Sequence, residues 1–272
     1  MAPTYAELSD AALARLAEEN VAELMVALTR GLGGDLEQAG YLTRYADRSI
    51  VSPMFNGVVR SRIPDGRAEA AIAESLAYFA ARERPLAFWW VGPSAEPPDL
   101  GERLLAAGLA PYEVAAPSMA ADLWALPAAL DVPAGFAIEV VGDVAGLLAW
   151  AEVFNASYGA PAFAGQAWAE ATLRLGFGRA PYRLYLGRLR GEPVATNILF
   201  CGAGVASVYG VWVLREARGQ GIGAAVTLRP YLDARAQGYR AGVLFATEEG
   251  LPVYRRLGFR EVGAVSRYLW RG

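Results

Sequence analysis

Val211-Trp212-Val213-Leu214-Arg215-Glu216-Ala217-Arg218-Gly219-Gln220-Gly221-Ile222-Gly223-Ala224 reads as a strand that passes through a glycine-rich turn into a helix. Glycines in such a turn let backbone N–H groups approach an anion closely, and the start of the helix adds the positive end of its dipole. A pyrophosphate is the expected guest. The segment is not a P-loop, because no Lys-Ser/Thr pair follows the glycines. Nor is it a dinucleotide fingerprint, because the acid-bearing second strand about 20 residues further on is missing.

Upstream of this segment the pattern gives two long strands, about Tyr182–Leu189 and Val194–Cys201, and a third over Val205–Leu214. Gly191-Glu192 and Gly202-Ala203-Gly204 are natural hairpin turns between them. Downstream come a helix over about Ile222 to Gln237, a strand Gly242–Ala246, a short helix near Leu251–Leu257 and a closing strand from Arg260 to Trp270. Pro230 lies inside the longest of these helices and predicts a kink or a local break. Before the hairpins, a strand Phe136–Val141, a helix Val144–Tyr158, a loop Gly159–Gly165 and a helix Gln166–Leu175 are expected.

The first half carries its own set. Leu13, Leu16, Val21, Leu24, Met25 and Leu28 recur at helical spacing after Ser9 and Asp10, which are plausible caps. A mixed stretch from Tyr41 to Ile63 leads to a second helix over Arg67–Arg82. Leu86 to Val91 reads as a buried strand, followed by a short helix near Asp99–Ala107 and a last strand around Met119–Leu123. From Trp124 to Phe136 the periodicity is lost around Pro127 and Pro133, which marks a linker. The length of 272 residues gives a prior of about two domains, expected at 1–126 and 134–272. Leu105-Ala106-Ala107-Gly108-Leu109 echoes Arg256-Leu257-Gly258-Phe259, each a helix end, a glycine stop and a return strand.

Composition narrows the chemistry. All 25 basic residues are Arg, and the chain has neither Lys nor His. That removes histidine general bases, Ser–His and Cys–His pairs, and nearly all zinc enzymes, so no metal is expected. A net charge of −3 without a basic block argues against nucleic acid. Cys201 is the single cysteine, so no intrachain disulfide forms. The mean hydropathy is +0.23, yet no stretch approaches the roughly 18 uninterrupted apolar residues of a spanning helix. No basic-then-apolar signal layout opens the chain, and a cytoplasmic location is expected.

Arg218, Gly221 and Gly223 match the Arg/Gln-x-x-Gly-x-Gly/Ala signature, and the chain resembles the GNAT (Gcn5-related N-acetyltransferase) superfamily. Val211-Trp212-Val213 looks like the fourth family strand, and the helix after Gly223 looks like its third helix. Tyr254-Arg255-Arg256-Leu257-Gly258-Phe259 resembles the family's Tyr-x-x-Leu-Gly-Phe segment at the proper distance. The resemblance covers about residues 136–272, and the first half looks like a degenerate second copy without a CoA site. It implies an α/β (α+β) fold of two GNAT-like domains, each a mixed, mostly antiparallel twisted sheet flanked by helices.

The same resemblance implies acetyl-CoA, or another acyl-CoA, as cosubstrate and a small-molecule amine as acceptor. Val211, Trp212 and Val213 would hold the pantetheine arm and polarise the thioester carbonyl. Arg218, Gly219, Gln220, Gly221, Ile222, Gly223 and Ala224 would cradle the pyrophosphate, although Arg218 could instead brace the turn. Tyr254 matches the family's general acid, and a phenol near pKa 10 suits protonation of a departing thiolate. Seven positions earlier, where the family often has Asn, stands Thr247, whose hydroxyl can still bond an amide. The base must be a carboxylate, a Tyr or a water wire, and Glu248 and Glu249 are the nearest carboxylates, Glu248 being the candidate. Cys201 in an apolar strand favours direct attack in a ternary complex over an acyl-enzyme. Phe154, Tyr158, Phe163 and Trp168 could line an acceptor pocket or pack a core. A silent acyl-CoA-binding sensor and a protein N-terminal acetyltransferase are the competing functions. No membrane partner is expected, and a homodimer stays open.

Overall fold

The computed structural model describes residues 5–158 and 163–272. In the first half, α1 (Asp10–Leu32) is followed by β1 (Asp35–Ala39), β2 (Leu42–Ala46), β3 (Asn56–Val59), α2 (Ala68–Ala80), β4 (Leu86–Val91), α3 (Leu100–Ala106) and β5 (Ala110–Asp122). The second half runs β6 (Phe136–Val140), α4 (Val144–Tyr158), α5 (Phe163–Leu175), β7 (Tyr182–Leu189), β8 (Glu192–Gly202), β9 (Val205–Val213), α6 (Ile222–Ala236), β10 (Ala241–Phe245), α7 (Leu251–Leu257) and β11 (Arg260–Arg271). Ser9 caps α1 by accepting from the Ala12 N–H, and Gly33, in the left-handed region at φ 69°, closes it.

All the strands join one sheet in the order β1-β2-β3-β4-β11-β5-β10-β9-β8-β7-β6. The last strands of the two halves are interleaved. β5 lies antiparallel between β10 and β11, and β11 lies antiparallel between β5 and β4. From this centre the order reads outward alike on both sides, one strand, a parallel partner, then a hairpin, with β6 added at the outer edge of the second half. The parallel partners are β4 with β3 and β10 with β9.

Alternating side chains divide the core into two layers. Phe88 and Trp90 of β4 belong to the same core layer as Val21, Met25 and Leu28 of α1 and Trp150 and Phe154 of α4, whereas Trp89 belongs to the layer of Ile72 and Phe79 of α2 and Leu104 of α3. On β5, Met119 and Ala121 join Leu228 and Tyr231 of α6, while Ala120 meets Leu13 and Ala17 of α1. So α1, α4 and α5 cover one face, and α2, α3, α6 and α7 cover the other. Each fully buried large apolar side chain contributes roughly 1.5–3 kcal/mol to this packing.

Helix α1 also reaches across the halves through polar groups. Asn20, fully buried, donates to the Gly202 and Val205 carbonyls at 2.9 and 3.2 Å and accepts from the Tyr209 hydroxyl at 2.7 Å. The Ala203 N–H donates to Glu23 at 2.6 Å. The β8–β9 turn is therefore keyed to a helix of the other half.

A fragment spanning 134–272 lacks α1, β4 and β5, and would leave β10 with an open edge and β11 with neither of its strand partners. Unpaired buried edges aggregate or recruit a second chain. Such a fragment is expected to be insoluble or to run as an oligomer on size exclusion. A monodisperse monomer that melts with the intact chain would contradict this.

Candidate functional site

Strands β9 and β10 pair only at Gly242 with Ala206 and Val243 with Ser207. Beyond that point β10 stays with β5 as far as Phe245, and β9 stays with β8 as far as Val213. The two strands part like a fork, and Val211 to Val213 lie past the fork. The Tyr231 hydroxyl of α6 donates to the Val243 carbonyl at 2.6 Å, satisfying a buried acceptor at the point of divergence. Burial holds this phenol well above its ordinary pKa of 10, so it stays a donor. Replacing Tyr231 with Phe leaves that carbonyl unpaired and is expected to cost roughly 1–3 kcal/mol in denaturant unfolding. An unchanged midpoint would show that the hydrogen bond is dispensable.

Next to the fork, β9 bulges. Thr196 pairs with Trp212 and Ile198 with Tyr209, so Gly210 and Val211 both stand opposite Asn197. Gly210 takes φ 56°, and the Thr196 hydroxyl donates to its carbonyl at 3.0 Å. The bulge turns the end of β9 away from β10 and opens the space between them.

That space is a cleft of about 400 Å³ between β9, the first turn of α6 and α7. Of the residues expected at the site, Val211, Trp212, Val213, Arg218, Gly219, Gly221, Gly223, Ala224, Thr247 and Tyr254 line it. Gln220 is exposed and off its wall, and Ile222 is buried in a small core with Val194 and Val226. Glu248 is exposed and also stays off the wall, while Glu249 lines it.

Gly221 caps α6 in the left-handed region at φ 81°. A Cβ on Gly223 would meet only the Val213 side chain, at 3.6 Å, so it would project into the gap between α6 and β9. The glycine keeps that gap open to a ligand.

Arg218 joins two sides of the cleft mouth: its Nε donates to the Val213 carbonyl at 3.0 Å, and its Nη1 reaches Glu249 at 3.4 Å. The pair is solvent-screened and contributes little by itself. At the turn after β10, Thr247 Oγ1 accepts from the Gly250 N–H at 3.2 Å, which leaves its own proton to donate.

Tyr254 sits on α7 against the Phe259 ring, at 6.3 Å between centroids. Its ring lies over Gly250, where a Cβ would come within 2.7 Å. Burial pushes its hydroxyl up to about 12, well above the value near 10 that the sequence suggests. Cys201 is half-buried on β8 with its thiol pushed up to about 11 by burial.

The corresponding place in the first half is closed. β3 and β4 pair at Gly57 with Phe88 and Val58 with Trp89. Beyond them the Ile63 N–H donates to the Glu96 carbonyl at 3.0 Å, and the Glu96 N–H donates to Ser61 at 2.9 Å. Trp89 Nε1 adds a bond to Ser61 Oγ at 2.9 Å. The chain's own backbone laces this fork shut.

Residues 159–162 of the Gly159–Gly165 loop lie outside the described residues, as do the side chains of Tyr158 and Phe163. Phe154 and Trp168 are buried in the core shared with α1. Among the described residues no group of three or more His, Cys, Asp and Glu could hold a metal, and no helix is long and apolar enough to cross a membrane.

A large, mostly antiparallel sheet flanked by helices, forked at a parallel pair with a glycine-rich helix start beside the fork, is the GNAT fold. A structure of a GCN5-related N-acetyltransferase from Kribbella flavida matches with a TM-score of 0.71 at 22% identity, covering 93% of this chain and 96% of that one. A GCN5-related N-acetyltransferase from Sphaerobacter thermophilus matches at 0.60 and 17%, covering 85% and 76%. A tandem GNAT protein from the clavulanic acid biosynthesis pathway matches at 0.55 and 16%, covering 88% and 78%. No family model matches the sequence, and no curated protein matches it.

Proposed function

We propose that this chain is an acyl-CoA-dependent N-acyltransferase that moves an acetyl group to a small-molecule amine by direct attack in a ternary complex. The observation that carries this reading is the forked cleft, with backbone-accessible glycines at one end and a buried, protonated Tyr254 in its wall. The N-acetyltransferase names of the similar structures support it.

Acetyl-CoA supplies an activated thioester; the chain supplies position and charge. Gly219, Gly221 and Gly223 line the cleft, and backbone N–H groups at such a helix start, with the α6 dipole, suit a pyrophosphate. Arg218 already sits at the mouth and can exchange its exposed contact with Glu249 for a phosphate oxygen. The end of β9, free of β10, offers main-chain groups to the pantetheine and to an oxyanion. Thr247 offers a hydroxyl to the same arm, and Tyr254 is a proton donor for the leaving sulfur. A thiol held at about 11 carries little thiolate at neutral pH, which favours direct attack over an acyl-Cys201.

We further infer that the first half is a second copy of the same unit, with its fork closed and its role structural. The mirrored strand order and the lacing of Ile63 and Ser61 to Glu96 support this.

One observation favours a silent acyl-CoA-binding protein instead. Glu248 stays off the cleft wall, and Glu249 is engaged with Arg218, so no carboxylate of the β10–α7 turn is poised as a base. Thiol release from acetyl-CoA across a panel of small amines, measured beside CoA binding by calorimetry, decides between them. Release dependent on one amine class supports the enzyme; tight binding without release supports the sensor.

A further inference from the structure

The α6 helix runs on through Pro230, where the sequence predicts a kink or break. Proline has no N–H, so the carbonyl four residues earlier, that of Val226, loses its helical donor. Val226 is fully buried, and water cannot replace the missing bond. The donor comes from another element: Nδ2 of Asn197, on β8, lies 2.8 Å from the Val226 oxygen. Asn197 is itself fully buried, and its Oδ1 has no hydrogen-bond partner. An apolar residue would avoid that unsatisfied acceptor, whose burial is costly. The one bond to Val226 is what the asparagine gains in return.

The position of this bond connects it to the cleft. Val226 is one turn after Gly223, so the bond holds the part of α6 that carries the glycine-rich start. Asn197 is also the residue that faces the β9 bulge, and its neighbour Thr196 holds the bulge through the Gly210 carbonyl. Two consecutive residues of β8 thus grip the two walls of the cleft, the bulged strand and the helix start.

We propose that Asn197 is a positioning residue for CoA binding, fixing the first turn of α6 against the bulged strand because Pro230 has removed the helix's own tie. This rests on the reading of the cleft as a CoA site. It makes Asn197 and Pro230 an energetically coupled pair. Pro230→Ala restores the N–H that Val226 lacks, and so relieves the need for Asn197.

The test is a double-mutant cycle on the full chain with Asn197→Ala and Pro230→Ala. CoA affinity is read by calorimetry, and amide exchange is read over residues 222–226. Asn197→Ala alone is expected to weaken CoA roughly tenfold and to speed exchange in that turn. Pro230→Ala alone should bind within about twofold of the native chain, and the double variant should recover most of the loss. If Asn197→Ala does not fold but the double variant folds and binds, the coupling is equally supported. Native affinity in Asn197→Ala, or a loss that Pro230→Ala does not rescue, overturns the proposal. If the native chain binds no CoA, the functional reading falls, while rescue of amide exchange still decides whether Asn197 braces the turn.

Discussion

Gly223→Val is expected to abolish CoA binding without unfolding the chain. Gly223 lies in the first turn of α6 at an ordinary helical φ, and an added Cβ would touch only the Val213 side chain at a comfortable 3.6 Å. Helix propensity gives no penalty for replacing glycine by valine, so the thermal midpoint should hold or rise. The ligand meets a different situation. Two methyl groups now stand between the β9 backbone and the N–H groups at the start of α6, and an anion can no longer approach them. We expect a loss of at least roughly 100-fold in CoA affinity, about 2.7 kcal/mol.

Gly221→Val makes a useful contrast. That residue sits at φ 81°, and its Cβ would come 3.2 Å from the Asp131 carbonyl oxygen, so stability falls together with binding. The left-handed conformation alone costs a side-chain-bearing residue roughly 1–2 kcal/mol. Calorimetry with CoA and a thermal melt separate the two effects. Native affinity in a folded Gly223→Val would remove the glycine turn from the site.

The cleft was readable from residues because its parts are local. A strand, a glycine turn and a helix start follow one another over 211–224, and Tyr254 follows in a short helix closed by Gly258 in the left-handed region. Ile222 shows where a motif read as a continuous string overreaches. Helical geometry sends it into the core between Gly221 and Gly223, although it belongs to the same run. Glu248 and Glu249 differ in the same way: adjacent in sequence, only one reaches the cleft wall.

Long-range pairing was not readable. β5 was expected only around Met119–Leu123, yet it extends from Ala110, and its early part contains Pro111, Pro117 and an Ala115 at φ 53°. Prolines argue against a central strand. Here bulges in the β5–β11 register absorb the irregularity, and the Pro117 carbonyl still accepts from the Ala246 N–H at 2.8 Å. The short strands β2 and β3 do not stand out within the mixed stretch from Tyr41 to Ile63 because both are buried throughout and show no alternation. Asn197 was missed altogether, although two signals pointed to it. A proline inside a helix implies an orphaned carbonyl, and a lone asparagine in an apolar strand implies a donor looking for one.

Tyr254→Phe is expected to lower the turnover number by roughly 100-fold or more while the Michaelis constant for acetyl-CoA changes little. The substitution keeps the ring, and with it the packing on Phe259 and Gly250, and removes only the hydroxyl that carries the proton. With its hydroxyl held at about 12, Tyr254 is a weaker acid than a thiol near 8.5. Complete proton transfer to the thiolate is therefore uphill, and the phenol acts by donating a hydrogen bond to sulfur as its charge develops. Because burial raises this pKa, the protonated form contributes stability below pH 10, and that contribution is lost as pH rises from 10 toward 12. Assays belong below that window. There the pH profile gives a second readout. The chain has no His and no Lys, and its one thiol is held at about 11, so no side chain has its ordinary titration between pH 6 and 9. A limb in kcat/KM within that range is expected from the acceptor amine, which must lose a proton before attack, and it should then move with the pKa of the amine used. Tyr254→Phe should lower the whole profile without moving the limb. Single-turnover rates are needed, since product release can hide the chemical step. Native single-turnover chemistry in the variant would take Tyr254 out of the mechanism and leave the cleft as a binding site.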